Sequence, residues 1–245
     1  MQTIAIISQK GGAGKTTLSI QLGFAAHTAG LATAIIDLDP QGTAAKWADR
    51  RRAGPQVMGG QASRLNVSLD AVRANGADLA LIDTPPSAEA IALAAAKAAD
   101  LVLVPTRPSG FDLEAIQTTL EMAEFARRRA IVLVNAVPCN RSHLGTSTVA
   151  GLRQRGFEVA PVMWMERAAF ADLGADGLTA QERDAASKAS LEVVELFRWL
   201  CQQAGMPTSP QAGQPTCGLE ALPPSGLETM RASSVETIQA SRPET

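Results

Sequence analysis

A glycine-rich segment near the N-terminus constrains this chain more than any other feature. Residues 10–17 read KGGAGKTT. They follow an apolar run at residues 4–7 and precede residues 18–26, whose apolar side chains have helical spacing. A strand, a glycine-rich loop and Gly-Lys-Thr opening a helix are the context of a phosphate-binding loop. The glycines let backbone N–H groups turn toward one anion, and the helix N-terminus adds unpaired donors. The sequence therefore predicts a nucleotide phosphate site.

The residue types in this loop suggest separate roles around a nucleotide. Lys15 can reach the β- and γ-phosphates, and the hydroxyl of Thr16 can bind Mg²⁺. We therefore expect ATP and Mg²⁺ as cofactors. The predicted nucleotide-binding residues are Gly11, Gly12, Ala13, Gly14, Lys15, Thr16 and Thr17.

A second lysine distinguishes this loop from the ordinary pattern, which has glycine where Gln9 stands and requires no lysine at position 10. Lys10 before Gly-Gly resembles the deviant Walker A loop of the ParA/MinD family of ATPases. The resemblance implies that Lys10 reaches the nucleotide of the other subunit in an ATP-sandwich homodimer. A second cation there would link dimerisation to the triphosphate state.

Two carboxylates follow the second predicted strand, at residues 32–36. A carboxylate at the carboxyl end of a strand lies on the ligand edge of an open α/β sheet. Residues 37–42 read DLDPQG and resemble the switch I segment of ParA proteins. The match implies that Asp37 lies near the Mg²⁺ shell and that Asp39 orients the attacking water. Outside this context, Asp39 followed by proline would indicate a turn.

A third carboxylate, Asp83, ends the apolar residues 79–82. Four apolar residues and an aspartate form a Walker B pattern, in which the carboxylate reaches Mg²⁺. The next residues, 84–86, resemble switch II. Ser87 is a better candidate than Asp83 to cap the helix that follows.

Weaker matches continue along the chain. Residues 104–108 resemble the proline-rich loop that lies near the dimer interface and the nucleotide in relatives. Asn135 follows a strand where relatives present an asparagine to the adenine edge, although asparagine after a strand is usually a turn residue. Residues 161–167 resemble the segment that helps to hold the base.

Strand-like and helix-like segments alternate, which predicts an α/β fold: a single-domain P-loop NTPase with a mostly parallel sheet flanked by helices on both faces. Further strands are predicted at 101–104, 131–134 and, more weakly, 157–160, and helices at 88–98, 113–128, 146–155 and 187–203. We expect the ATPase domain to span residues 1–204. Residues 205–245 contain many Pro, Ser and Thr and few large apolar residues, so we expect a disordered tail.

Composition favours a cytoplasmic protein. The three cysteines are widely spaced, which argues against a disulfide framework, and without a Cys-x-x-Cys pair a zinc or iron–sulfur site is improbable. The first strand leaves no room for a signal peptide, and no apolar run approaches the ~20 residues of a membrane span.

The net charge of −2 means that DNA binding would need a local basic patch. The arginine runs at residues 50–52 and 127–129 stand out, and the second suits a solvated helix end. Relatives bind DNA through basic residues on late helices. The corresponding candidates are Arg153, Arg155, Arg183, Lys188 and Arg198, each equally consistent with ordinary surface charge.

The resemblance covers residues 3–204 and implies a small ParA-type ATPase without an operator-binding extension. Such a protein forms an ATP-dependent dimer, binds DNA non-specifically at the nucleoid and positions a plasmid, chromosome or protein cargo. A ParB-like or cargo-adaptor protein stimulates its weak hydrolysis. The alternative is a MinD-like membrane-surface or protein-scaffold switch, but residues 205–245 offer no basic amphipathic helix and no membrane partner is expected. An iron–sulfur carrier ATPase would need paired cysteines.

Overall fold

Strands and helices alternate along the described part of the chain. The computed structural model describes residues 1–51, 53–171, 173 and 177–207, and it describes residues 110–115 by their backbone alone. The strands are β1 (Gln2–Ile6), β2 (Thr33–Asp37), β3 (Gln56–Gly59), β4 (Leu79–Asp83), β5 (Leu101–Thr106) and β6 (Arg129–Val134). They form one sheet in the order β3-β2-β4-β1-β5-β6, and every pairing is parallel. The predicted parallel α/β sheet is confirmed.

Helices connect the strands. They are α1 (Lys15–Thr28), α2 (Thr43–Ala48), α3 (Leu65–Ala74), α4 (Glu89–Ala98), α5 (Gly110–Phe125), α6 (Ser142–Gln154), α7 (Ala168–Ala171), α8 (Ala180–Arg183) and α9 (Lys188–Ala204), with 3₁₀ turns at Ala62–Arg64 and Cys139–Arg141. Within the described residues, no helix is both long enough and apolar enough to cross a lipid bilayer.

Two apolar cores lie on opposite faces of the sheet. Alternate residues of β1 divide between them, because successive side chains of a strand point to opposite faces. Ile4 and Ile6 pack with α1, α2 and α9, whereas Ala5 and Ile7 pack with α3, α4, α5 and α6. The predicted covering of both faces by helices is confirmed.

The sequence analysis did not predict the ten-residue helix α3, and it missed several short elements. Strand β3 has four residues at the sheet edge, none of them buried, so its sequence carries no apolar run. Helices α2, α7 and α8 have six, four and four residues and are too short to show a period. The weak strand predicted at 157–160 is wrong: Val159 forms only an isolated bridge to Val132. The predicted tail beyond residue 207 lies outside the described residues.

Helix α2 is tied to the segment that precedes α8. The indole Nε1 of Trp47 donates to the Gly177 carbonyl at 2.8 Å. Arg51 lies over the Trp47 ring, 4.6 Å from its centroid, and donates both to Gly177 and to the Glu182 carboxylate. The short helix after β2 is therefore held by contacts more than 120 residues away in sequence.

We predict that Arg51→Ala destabilises the fold by roughly 1–2 kcal/mol, because it removes a sheltered ion pair and a cation–π contact together. The side chains of Arg51 and Glu182 are 11% and 24% exposed. The control is Arg73→Ala, whose pair with Asp70 is 54% and 73% exposed, where we expect less than about 0.5 kcal/mol. Urea unfolding measures both, and equal losses would contradict the prediction.

Candidate nucleotide-binding site

The phosphate-binding loop connects β1 to α1 at the carboxyl edge of the sheet. Gly12 and Gly14 adopt left-handed backbone angles, with φ of 72° and 90°. Helix α1 starts at Lys15, and its first internal bond runs from the Leu18 N–H to the Gly14 carbonyl. The N–H groups of the first turn thus have no partner within the helix and point toward the loop, which gives the predicted anion site.

The two lysines of the loop lie in different environments. Lys15 is 6% exposed, and its Nζ lies 3.4 Å from the Lys10 carbonyl. Burial lowers the pKa of Lys15, while the charges of Asp83 and Asp39 oppose that shift. The side chain of Lys10, in contrast, is exposed on the outer side of the loop. Lys15 therefore faces the site interior, and Lys10 is accessible to another molecule.

Asp83 is fully buried at the carboxyl end of β4. Neither of its carboxylate oxygens has a well-formed hydrogen bond among the described residues. Burial raises its pKa to about 7, and the charge of Asp37 adds to the rise, while the hydroxyl of Thr16 and the charge of Lys15 oppose it. Such an orphaned carboxylate beside a threonine hydroxyl fits a hard divalent cation. The predicted donors Asp83 and Thr16 are thus brought together.

Asp37 is the register partner of Asp83 in the neighbouring strand, but its carboxylate is already engaged. One oxygen accepts the Asp39 N–H at 3.0 Å, and the other accepts the N–H groups of Ala44 and Ala45 at 3.0 and 3.2 Å. Burial raises its pKa, and these backbone donors oppose the rise. Asp37 therefore caps α2 and shapes the loop before it. A Mg²⁺ contact of Asp37 remains a prediction, and Asp83 is the better-suited ligand.

Asp39 lies at the rim of the site, in a tight turn. Its Oδ1 accepts the Gln41 N–H at 2.9 Å, and its carbonyl accepts the Gly42 N–H at 2.8 Å. The turn that the Asp-Pro pair indicates is therefore present, and it holds a partly exposed carboxylate close enough to Lys15 to affect its pKa. The water-orienting role of Asp39 stays a prediction.

The segment after β4 contacts the phosphate-binding loop directly. The sequence position of Ser87 suggested a cap for α4, but the structure shows that Ser87 does not cap this helix. Its φ is 52°, and both its N–H and its Oγ donate to the Gln9 carbonyl at 3.2 Å, while Ala88 occupies the cap position. The helix begins one residue later than a serine cap requires, which frees the hydroxyl to hold the loop.

Two further side chains reach the loop from the ends of β5 and β6. Arg107 donates to the Gly11 carbonyl at 3.0 Å. Asn135, which is 8% exposed, donates through Nδ2 to the Ala13 carbonyl at 2.8 Å. The adenine contact of Asn135 remains a prediction. The resemblance placed residues 104–108 near the nucleotide, but the sequence did not predict the contact of Arg107 with Gly11 or that of Ser87 with Gln9.

A cleft of about 310 Å³ extends from the first turn of α1 toward α2. Its volume is at the lower end of the range for small-molecule sites. Residues of α1, of α2 and of the region around α7 line it. The lining residues are Thr16, Thr17, Ile20, Thr43, Lys46, Trp47, Arg50, Phe170, Ala171 and Leu173. The phosphate site therefore opens into additional space.

The candidate DNA-contacting residues do not form one patch. Arg153 and Arg155 lie at the end of α6, and Arg155 donates to Gln117 of α5. Lys188 and Arg198 are exposed on α9, which packs on the opposite face of the sheet. Arg183 ends α8. One subunit therefore divides these charges between two faces.

Comparison with known proteins agrees with this geometry. Residues 4–180 match the family described as the CobQ/CobB/MinD/ParA nucleotide binding domain. A carboxysome distribution protein A from Gloeobacter kilaueensis is 38% identical over 125 residues, which cover 50% of this chain and 56% of that protein. A chromosome partitioning protein ParA from Caulobacter vibrioides is 31% identical over 170 residues, covering 52% of this chain and 64% of its own length. The chain thus spans between about half and two thirds of these relatives.

Solved structures share the fold. The MinD cell division protein of Aquifex aeolicus superposes with a TM-score of 0.69 at 19% identity, covering 82% of this chain and 97% of MinD. A Cyanothece McdA–ATP complex gives a TM-score of 0.65 at 18% identity, covering 86% and 99%. A loop with two lysines, a buried carboxylate at the end of β4 and the family match over residues 4–180 together place the chain in the CobQ/CobB/MinD/ParA family of nucleotide-binding domains.

Proposed function

We propose that the chain is a ParA-type ATPase that dimerises around ATP, binds DNA without sequence preference and segregates or positions a plasmid, a chromosome or a protein cargo. The observation that carries this proposal is the division between the buried Lys15 and the exposed Lys10 of one loop. A single-subunit nucleotide site needs only the buried lysine. The exposed lysine is available to a nucleotide in a second subunit.

The residues of this chain have distinct roles in the proposed reaction. The N–H groups at the start of α1 and the Lys15 ammonium hold the phosphates, and Asp83 and Thr16 would hold Mg²⁺. Bound Mg²⁺ would neutralise charge on the β- and γ-phosphate oxygens. Asp39 orients the attacking water from the rim of the site. Asp37 sets the position of Asp39 because it accepts the Asp39 N–H.

Dimerisation also accounts for DNA binding by a chain with a net charge of −2. Each face of one subunit carries few candidate cations, whereas two paired subunits double the number of phosphate contacts. DNA affinity rises steeply with the number of such contacts and falls with salt. A ParB-like or cargo-adaptor protein would then stimulate hydrolysis and release the dimer from the nucleoid. The names of the relatives, which include carboxysome distribution and chromosome partitioning proteins, support a role in positioning cargo.

The buried carboxylate gives the metal-free protein a pH-dependent stability. The folded-state pKa of Asp83, about 7, lies above that of an unfolded carboxyl, so protonation favours the folded state. The wild type should gain roughly 2–3 kcal/mol as the pH falls from 8 to 5. Asp83→Asn should show no such pH dependence and should be more stable than the wild type at pH 8. MgADP should no longer stabilise this variant. Urea unfolding tests this, with exposed Asp70→Asn as the control. An Asp83→Asn profile matching the wild type would contradict the assignment.

Substitutions of the two lysines should affect different properties of the protein. Lys15→Ala should abolish nucleotide binding, because it removes the buried cation of the phosphate site. Lys10→Ala should bind ATP like the wild type but form no ATP-dependent dimer. Fluorescent-nucleotide titration and analytical ultracentrifugation measure the two properties, and Lys97→Ala, at the far end of α4, is the control. Persistence of the ATP-dependent dimer in Lys10→Ala would refute the cross-subunit role.

Binding to random-sequence duplex DNA should require ATP and fall steeply with salt. Asp39→Ala should bind ATP and remain on DNA, because hydrolysis no longer releases the dimer. The measurement is a salt series with ATP, ADP and no nucleotide, for the wild type and the variant. Normal partner-stimulated turnover in Asp39→Ala would refute its role. ATP-dependent dimers that bind no DNA would favour a membrane or protein-scaffold switch instead.

A further inference from the structure

Three alternate carbonyls of the phosphate-binding loop are held from outside by other loops. The Gln9 carbonyl accepts from Ser87, after β4. The Gly11 carbonyl accepts from Arg107, after β5, and the Ala13 carbonyl accepts from Asn135, after β6. Hydrogen bonds to three alternate carbonyls restrict rotation of the peptide groups that carry them. Three neighbouring loops therefore fix the backbone of residues 9–13.

Lys10 lies between two of these contacts. The carbonyls before and after it, on Gln9 and Gly11, both accept hydrogen bonds, while its own carbonyl lies 3.4 Å from the Lys15 Nζ. With its backbone fixed on both sides, Lys10 presents its side chain to the exterior. The direction of the exposed lysine thus depends on the contacts of its neighbours.

The guanidinium of Arg107 lies so close to Gly12 that any side chain at position 12 would collide with it. A Cβ added to Gly12 would lie 2.6 Å from the Arg107 Nη2, and Gly12 has a φ of 72°. Two adjacent glycines at the exposed apex of a loop, Gly11 and Gly12, would otherwise sample many conformations. The planar guanidinium, lying against Gly12 and bonded to Gly11, restricts them.

Backbone strain accompanies two of the three contacts. Ser87 and Ala136, the residue after Asn135, have φ of 52° and 50°. Non-glycine residues adopt this conformation only where surrounding structure enforces it, and such residues cluster at functional sites. The loops that hold the phosphate-binding loop are therefore themselves under constraint.

We propose that Arg107 is a positioning residue that aims Lys10 at the second subunit by fixing Gly11 and Gly12. The proposal rests on the proposed function, in which Lys10 acts across a dimer. Arg107 holds the apex of the loop rather than the start of α1. Its loss should therefore weaken the ATP-dependent dimer while leaving the binding of ADP by a single subunit nearly unchanged.

The test compares Arg107→Ala with Arg128→Ala. Arg128 makes the same kind of contact, because its guanidinium donates a hydrogen bond of 3.0 Å to the Lys97 carbonyl. This contact lies near the amino ends of the strands, away from the nucleotide site. We expect the ATP-dependent dimer of Arg107→Ala to be at least about tenfold weaker than that of the wild type, because a charge-assisted hydrogen bond is lost. The affinity of Arg107→Ala for ADP should stay within about threefold of the wild-type value. Arg128→Ala should match the wild type, and Arg107→Lys should recover only part of the loss. Sedimentation in the absence of DNA gives the dimer affinities.

A double variant separates positioning from a general structural role. If Arg107 acts only through Lys10, Lys10→Ala/Arg107→Ala should bind ATP as Lys10→Ala does, and fluorescent-nucleotide titration measures both. Three outcomes would overturn the proposal: dimerisation of Arg107→Ala equal to that of Arg128→Ala, loss of ADP binding together with the dimer, or weaker ATP binding by the double variant than by Lys10→Ala. A wild-type protein that shows no ATP-dependent dimer would overturn the proposed function, and with it this role of Arg107.

Discussion

The buried carboxylate of Asp83 is the constraint around which the site is arranged. Among the described residues no well-formed hydrogen bond reaches its oxygens, and such a carboxylate destabilises the protein unless a proton or a cation neutralises it. The burial of Asp83 raises its pKa to about 7, so the two possibilities compete near neutral pH. Lys15 and the Thr16 hydroxyl face this carboxylate across the start of α1. The buried carboxylate lowers the folding stability of the ligand-free protein, and binding of a metal and a nucleotide can offset that loss.

The parallel sheet explains why these groups meet. Strands β1, β2 and β4 are adjacent, and all of them end at the same edge, so the phosphate-binding loop, Asp37 and Asp83 converge although they are far apart in sequence. Helix α1 is buried over residues 18–26, which fixes the direction of its N-terminus. The two apolar cores thus set the position of the donors, and the loops contribute the chemistry.

Sequence reasoning located every strand except β3, and it located the charged residues of the site, but not the partners of those residues. The run at residues 79–82 and the aspartate after it are a strong local signal, and β4 and Asp83 lie as predicted. The capping of α2 by Asp37 depends on a six-residue helix too short to show a period. Ser87 had the composition of a helix cap, yet its hydroxyl is bonded to a carbonyl 78 residues away. The resemblance placed residues 104–108 near the nucleotide, but the contact of Arg107 with Gly11 had no local signal because it spans 96 residues.

In the proposed dimer, two lysines five residues apart would allow one loop to serve two subunits. Burial and two nearby carboxylates fix Lys15 in its own site, where its role requires no other chain. Lys10 has an exposed side chain, so its ammonium group is accessible to a second molecule. A lysine side chain loses rotamer entropy when it is fixed on binding. A loop whose backbone is already rigid reduces the total entropic cost, because only the side chain must then be ordered. The contacts on alternate carbonyls provide that rigidity at the residues on either side of Lys10. In the proposed dimer, the backbone that carries Lys10 would therefore be in place before the partner subunit arrives.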